Sequence, residues 1–153
     1  MAVSGDLGAG EIVRMLGLKP HPEGGWYGET FRSRAAPGER AAMSVIWFLL
    51  EADQVSAWHQ VDADEAWFWH AGAPLVLTLS DDGVSARSVR LGPDLRAGER
   101  AQAIVPAQAW QTAESLGAWT LVSCAVAPAF AFDGFRMAPP HWRPGPDGAP
   151  DGG

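Results

Sequence analysis

The chain has 153 residues and a formal net charge of −7, and its eleven Lys and Arg are scattered rather than gathered into a basic run. That balance argues against nucleic acid as a partner, and the length suits one domain with a proper core rather than two. No apolar run approaches the ~20 residues of a membrane span, and the opening MAVSGDLGAG lacks a basic region followed by an apolar one, so no membrane partner and a cytoplasmic location are expected.

Residues 1–9 are small and glycine-rich, the composition of a flexible N-terminus. Ile12, Val13, Met15, Leu16 and Leu18 then give a short amphipathic helix, stopping near Gly17 and expected to cover one mouth of a barrel. PHPEGG follows as a rigid loop, its prolines restricting the backbone and Gly24-Gly25 permitting positive φ or close approach. His21 in that loop reads as structural. WYGETFRS is the first long strand; strict alternation puts Tyr27, Glu29 and Phe31 on one face and Arg32 on the other. MSVIWFLLEA, Met43 to Ala52, is apolar on both faces, as in a strand between a barrel interior and a second layer. Ser44 and Trp47 are pocket candidates on its opposite faces.

AWHQVDADEAWFWHAG, Ala57 to Gly72, reads as strand, turn, strand. Alternation places Val55, Ala57, His59 and Val61 on one face, and Glu65, Trp67 and Trp69 on a face that a hairpin folds onto it. His70 falls on the other side. PLVLTLSDDG ends at Asp82-Gly83 and VSARSVRLG returns from it. VPAQAWQTA turns at Pro106, and WTLVSCAVAP carries the single cysteine, Cys124, which reads as a buried inert thiol. From Pro139 the chain has the composition of a disordered Pro/Gly-rich tail, 139–153, which leaves 10–138 as a single domain. With about eight to ten short strands and no long helical period, the class is all-β, a double-sheet jelly roll.

Several of these stretches resemble the cupin superfamily. Its first signature is a histidine, any residue, a second histidine, three or four residues, a glutamate, six residues, then glycine. His59, Glu65 and Gly72 fall on three fixed positions, and Val61 stands where the second histidine belongs. In the second signature Gly98 and Pro106 are recognisable, while Gln111 occupies the histidine position and Gln108 a glycine position. With PHPEGGWYGETFRS added, the chain from about Leu16 to Phe135 resembles the small single-domain cupins grouped as cupin family 5. The resemblance implies a cupin-type jelly-roll barrel with a short N-terminal helix. Related small cupins pair their sheets, and eight Trp against one Tyr need burial, so a homodimer using the N-terminal strand and Val45 to Leu50 is expected.

For the chemistry, His59 and Glu65 are the expected catalytic residues: a proton-transfer imidazole assisted by a carboxylate whose pKa rises in an apolar wall. Gln111, Trp67, Trp69, Tyr27 and Ser44 are the expected ligand-binding residues. If a divalent metal binds, its ligands are His59, Glu65 and Gln111, a weak set with one imidazole and a neutral amide, so no cofactor is expected. Cupin barrels that epimerise sugar nucleotides without a metal point to an isomerase, epimerase or cyclase acting on a small carbonyl-containing or sugar-like metabolite. The alternatives are a non-catalytic small-ligand-binding protein and a metal-dependent oxygenase with an atypical site.

Overall fold

The computed structural model describes residues 6–150, so the first five residues of the expected flexible N-terminus and the last three of the tail lie outside the described residues. One helix, α1 (Ala9–Leu16), precedes eleven strands: β1 (Lys19–Pro20), β2 (Trp26–Arg32), β3 (Ser44–Glu51), β4 (Val55–Val61), β5 (Asp64–Gly72), β6 (Leu75–Ser80), β7 (Arg87–Leu91), β8 (Gln102–Val105), β9 (Trp110–Ser115), β10 (Trp119–Ala127) and β11 (Phe135–Met137). They form two antiparallel sheets, ordered β1-β2-β3-β10-β5-β8 and β11-β4-β9-β6-β7, the double-sheet jelly roll expected from the sequence.

The main core lies between the sheets. Phe48, Leu50, Trp67 and Val122 from one sheet meet Leu75, Leu77, Leu79 and Ala113 from the other, all essentially inaccessible to water. Strand β3 is apolar on both faces because both are covered. Phe48 and Leu50 belong to the core between the sheets, whereas Leu49 and Trp47 pack on the reverse side with Ile12, Val13 and Leu16 of α1. The helix therefore covers the back of the six-stranded sheet, not a mouth of the barrel; its apolar stripe needs the area that Leu49, Trp119 and Leu121 offer there.

Three β-bulges change the side-chain phase that strict alternation assigns, one of them at His70 in β5 and the other two near the cavity. In β2, Glu29 pairs with Ile46 but Phe31 with Val45, so Thr30 is an extra residue and Arg32 returns to the face of Glu29 while Phe31 is half exposed. In β4, Ser56 pairs with Ala113 and His59 with Gln111, three steps against two, so Ser56 and His59 are both buried.

The PHPEGG loop closes one end of the sandwich. It folds on itself through His21 N–H to the Gly25 carbonyl at 2.9 Å and Gly24 N–H to the His21 carbonyl at 3.0 Å, and its Glu23 carbonyl accepts from the N–H of Ala57 in the bulge at 2.8 Å. Gly24 has φ +110°, and a Cβ there would stand 2.2 Å from the Val55 carbonyl oxygen. Gly72 is similarly constrained, at φ +88° with the Trp119 carbonyl 2.4 Å from any added Cβ. Beyond β11 the chain has no regular element through Pro150, and Trp142 rests on Trp58 and Trp110 of the five-stranded sheet, ring centroids 5.6 and 4.9 Å apart.

Gly24→Ala should therefore destabilise the fold by about 2 kcal/mol or more. Gly38→Ala, also at positive φ but with no atom within 4 Å of its Cβ, should cost only the backbone term, about 1 kcal/mol. Urea unfolding of the two variants measures the difference, and equal losses would contradict the close approach of the loop to β4.

Candidate functional site

A cavity of about 130 Å³ opens at the loop end of the sandwich. Its polar wall comes from three places: His21 and Glu23 of the loop; Tyr27, Glu29, Arg32 and Ser44 of β2 and β3; and His59 and Glu65 of the signature hairpin. Phe130, Phe132 and Phe135 form an apolar side. Arg32, Glu29 and Phe132 are exposed enough to mark the mouth, whereas His59, Glu65 and Glu23 are buried.

The innermost interaction is an ion pair. His59 Nε2 lies 3.0 Å from Glu23 Oε2, and its Nδ1 is 2.8 Å from the Ala57 carbonyl, a hydrogen bond that requires the proton on Nδ1. Burial pushes the His59 pKa down, but the Glu23 carboxylate, its hydrogen bond and the nearby Glu65 charge outweigh that and hold it at about 9. Burial likewise pushes the Glu23 carboxyl up, and its attraction to His59 leaves it below the ordinary carboxylate value. His59 is thus an imidazolium at neutral pH with both nitrogens engaged.

Glu65 has a different environment. Burial raises its pKa, and the attraction of His59 only partly offsets this, because Glu23 adds a like charge. Its Oε1 accepts from Gln111 Nε2 at 2.8 Å, and Cys124 lies against it as a further donor. Burial and the two carboxylates push the Cys124 thiol far above its ordinary value, so it is no thiolate nucleophile.

Of the expected ligand-binding residues, Tyr27 and Ser44 stand on the cavity wall. Gln111 does not: fully buried, it accepts from Trp67 Nε1 at 3.1 Å and donates to Glu65, bridging the sheets behind the site. Trp67 and Trp69 do not line it either. They are the next inward residues along β5 after Glu65 and fill the core between the sheets, Trp69 bonding the Ala73 carbonyl at 3.0 Å. A small jelly roll spends its large aromatic rings on its own core, leaving the cavity the space near the loop. His70 lies away from the cavity, against Ser123 and Trp47.

His21 and Glu23 were the residues that sequence reasoning did not place here. The available signal was a titratable pair held rigid between prolines and a glycine pair, the composition of a loop that positions something. Glu29 and Arg32 were candidates of which alternation allowed only one to reach the pocket; both line it, because the bulge at Thr30 is invisible to alternation.

The positions that bind metals in cupin signatures do not make a metal site in this chain. Gln111 has spent both ends of its amide, Val61 offers no donor, and a protonated His59 has no free lone pair. Among the described residues no group of three or more His, Cys, Asp or Glu is arranged to hold an ion. Nor is any helix there long and apolar enough to cross a membrane.

The family model for the Cupin superfamily (DUF985) matches residues 10–138. Among solved structures, a protein of Shewanella oneidensis shares 36% identity with a TM-score of 0.81, over 86% of this chain and 84% of that one. A hypothetical protein of Leishmania major shares 32% with a TM-score of 0.78, over 85% and 86%. Oxalate decarboxylase of Bacillus subtilis shares 13% with a TM-score of 0.60, over 77% of this chain and 29% of that one, a likeness of fold alone. No curated protein matches the chain.

The raised pKa of His59 makes stability depend on pH. The folded state keeps the proton between the ordinary 6.5 and about 9, so this contribution is complete below about pH 6.5 and is lost as pH rises through 9. A loss on the order of 3 kcal/mol follows from the shift. Thermal unfolding from pH 6.5 to 9.5 should show this decline in the wild type and not in a His59→Gln/Glu23→Gln double variant. Ring titration by NMR with a midpoint near 6.5 would contradict the ion pair.

Proposed function

Because the chain belongs to the cupin superfamily, in the family described as DUF985, we propose that its barrel cavity binds a small carbonyl-containing metabolite and moves a proton on it, as an isomerase or epimerase does. The observation that carries this reading is the division of charge within one buried site. A single imidazolium is committed to Glu23, which leaves Glu65 with a raised pKa facing the same cavity. A carboxyl raised above its ordinary value returns a proton more readily once it has taken one.

The roles then differ from those expected of the sequence. Glu65 takes a proton from the carbon beside the substrate carbonyl and returns it to the other face or to a neighbouring carbon, so no net redox change occurs. His59, with both nitrogens bonded, supplies fixed positive charge that favours the developing enolate. Glu23 holds that charge in place, and Gln111 orients Glu65. Binding without turnover is the second reading, favoured by the engagement of His59 at both nitrogens.

Assembly as a homodimer belongs to the same proposal. Strand β1 covers β2 only at Trp26 and Tyr27, so among the described residues the outer edge from Gly28 to Arg32 has no neighbouring strand, and Phe31 stands half exposed beside it.

With a substrate in hand, Glu65→Gln should lower kcat by about 10²-fold or more with KM changed only a few-fold. The wild-type kcat/KM should rise with pH through a point above the ordinary carboxylate value and fall again near 9, where His59 loses its proton. Full activity in Glu65→Gln would remove the mechanism, while retained binding without turnover in the wild type would establish the second reading. Light scattering at micromolar concentration should give twice the chain mass, and a monomer would count against pairing.

A further inference from the structure

The hydrogen-bonding atoms of the cavity wall are one-sided. Most of its acceptor atoms are engaged: both Glu29 oxygens accept from Arg32 Nε and Nη2 at 2.9 and 2.8 Å, Glu23 Oε2 faces His59, Glu65 Oε1 accepts from Gln111, and His21 Nδ1 accepts the Glu23 N–H at 3.1 Å. Its donors are not. Because His21 accepts at Nδ1, its neutral ring carries the proton on Nε2, which bonds nothing among the described residues. The Tyr27 hydroxyl has no hydrogen-bond partner there. Ser44 Oγ accepts from the Phe130 N–H at 2.9 Å and keeps its own proton unspent. Arg32 uses Nε and Nη2, the latter also on the Phe130 carbonyl at 3.1 Å, and leaves both N–H groups of Nη1 free.

These four donors come in two pairs. Arg32 and Ser44 are directly opposite in the β2–β3 register, Arg32 at the mouth and Ser44 buried beside it. His21 and Tyr27 are edge to face with ring centroids 4.6 Å apart, on the side of the loop. Unspent donors can be met by water, but a wall with two donor pairs and most of its acceptor atoms engaged suits a ligand with two acceptor groups. A polyol would bring hydroxyl protons with nowhere to go.

We propose that the ligand is a small carboxylic acid with a carbonyl oxygen on the adjacent carbon, its carboxylate held by Arg32 and Ser44 and its second oxygen by His21 and Tyr27. This rests on the reading of the cavity as a ligand site and adds the substrate class. The volume, about 130 Å³, is well under the roughly 300–1,000 Å³ of sites for drug-sized ligands, as a compact acid requires. The two lining cations are matched by Glu23 and Glu29, and Glu65 adds a further carboxyl, so no net positive field draws the acid in. Recognition is local, through donors placed at the oxygens, and the carboxylate is the group that gains most from a guanidinium.

Pyruvate and its neutral isostere pyruvamide test this directly, with binding followed by saturation-transfer NMR and by the His21 and His59 ring signals of labelled protein. Pyruvate should move the His21 signals and bind at least about tenfold more tightly than pyruvamide, a difference of roughly 1.4 kcal/mol. Arg32→Gln, checked as folded by its amide spectrum, should erase that preference while keeping the affinity for pyruvamide, and Tyr27→Phe should weaken both probes. Equal binding of the two with movement of the ring signals would overturn the acid and leave the cavity as the site. Pyruvate bound with both histidines unmoved would overturn the proposal and the cavity reading together. Binding of neither probe would overturn the proposal alone, since proton transfer by Glu65 is read separately through its own kinetics.

Discussion

The buried contact between His59 and Glu23 is the constraint on which the rest of the site depends. Taking two charges out of water costs several kcal/mol each, and their attraction offsets this only with good geometry and further hydrogen bonds. The chain supplies both. His59 has Ala57 O behind it, and Glu23 sits in a loop whose own backbone is bonded to β4 at Ala57. The same bulge thus presents the imidazole and receives the loop that carries its counter-ion. Either half without the other would leave an uncompensated charge in the core.

One cation among buried carboxylates also decides what Glu65 becomes. Glu23 takes the direct contact and stays ionised, while Glu65 receives neutral donors, the Gln111 amide and the Cys124 thiol. Two carboxyls with the same ordinary value are pushed in opposite directions by surroundings in one small space, the pattern that separates acid from base roles in many active sites. At the mouth the Glu29–Arg32 pair is solvent-exposed, adds little to stability and holds the guanidinium at the entrance.

Much of this was legible in the residues. The run Met43 to Ala52 is apolar on both faces and is covered on both; Gly72 in the signature is where no Cβ fits; Tyr27 and Ser44 stand on the cavity. What failed was the extrapolation of period two across bulges. One extra residue at Thr30 moved Arg32 to the cavity side, and one between Ser56 and His59 reset β4. Bulges leave no composition signal here, since Thr and Ala are ordinary strand residues. The tryptophans misled for another reason. Alternation grouped Trp67 and Trp69 correctly with Glu65, but it cannot say how far along the strand a cavity extends. Composition averaged over Pro139 onward also gives no weight to the single ring of Trp142, which carries the segment's contact with Trp58 and Trp110.

The departures from the cupin signatures follow from the same electrostatics. Gln108 stands at a glycine position with φ +71°, so the turn before β9 persists with a side chain that adopts that conformation at some cost. It is held by Gln108 N–H to the Val61 carbonyl and by Gln60 to the Gln108 carbonyl. At the two changed histidine positions, Val61 now faces the cavity as apolar wall and Gln111 is consumed between Trp67 and Glu65. The remaining imidazole cannot serve two functions at once. A ring that acts as counter-ion to Glu23 carries a proton on each nitrogen, and a metal would have to displace one of those protons and leave Glu23 buried without its partner. Raising the pKa of His59 to about 9 and retaining a lone pair for a ligand bond are therefore opposed. The loop that brings in Glu23 turns the one imidazole retained from the signatures into a fixed charge.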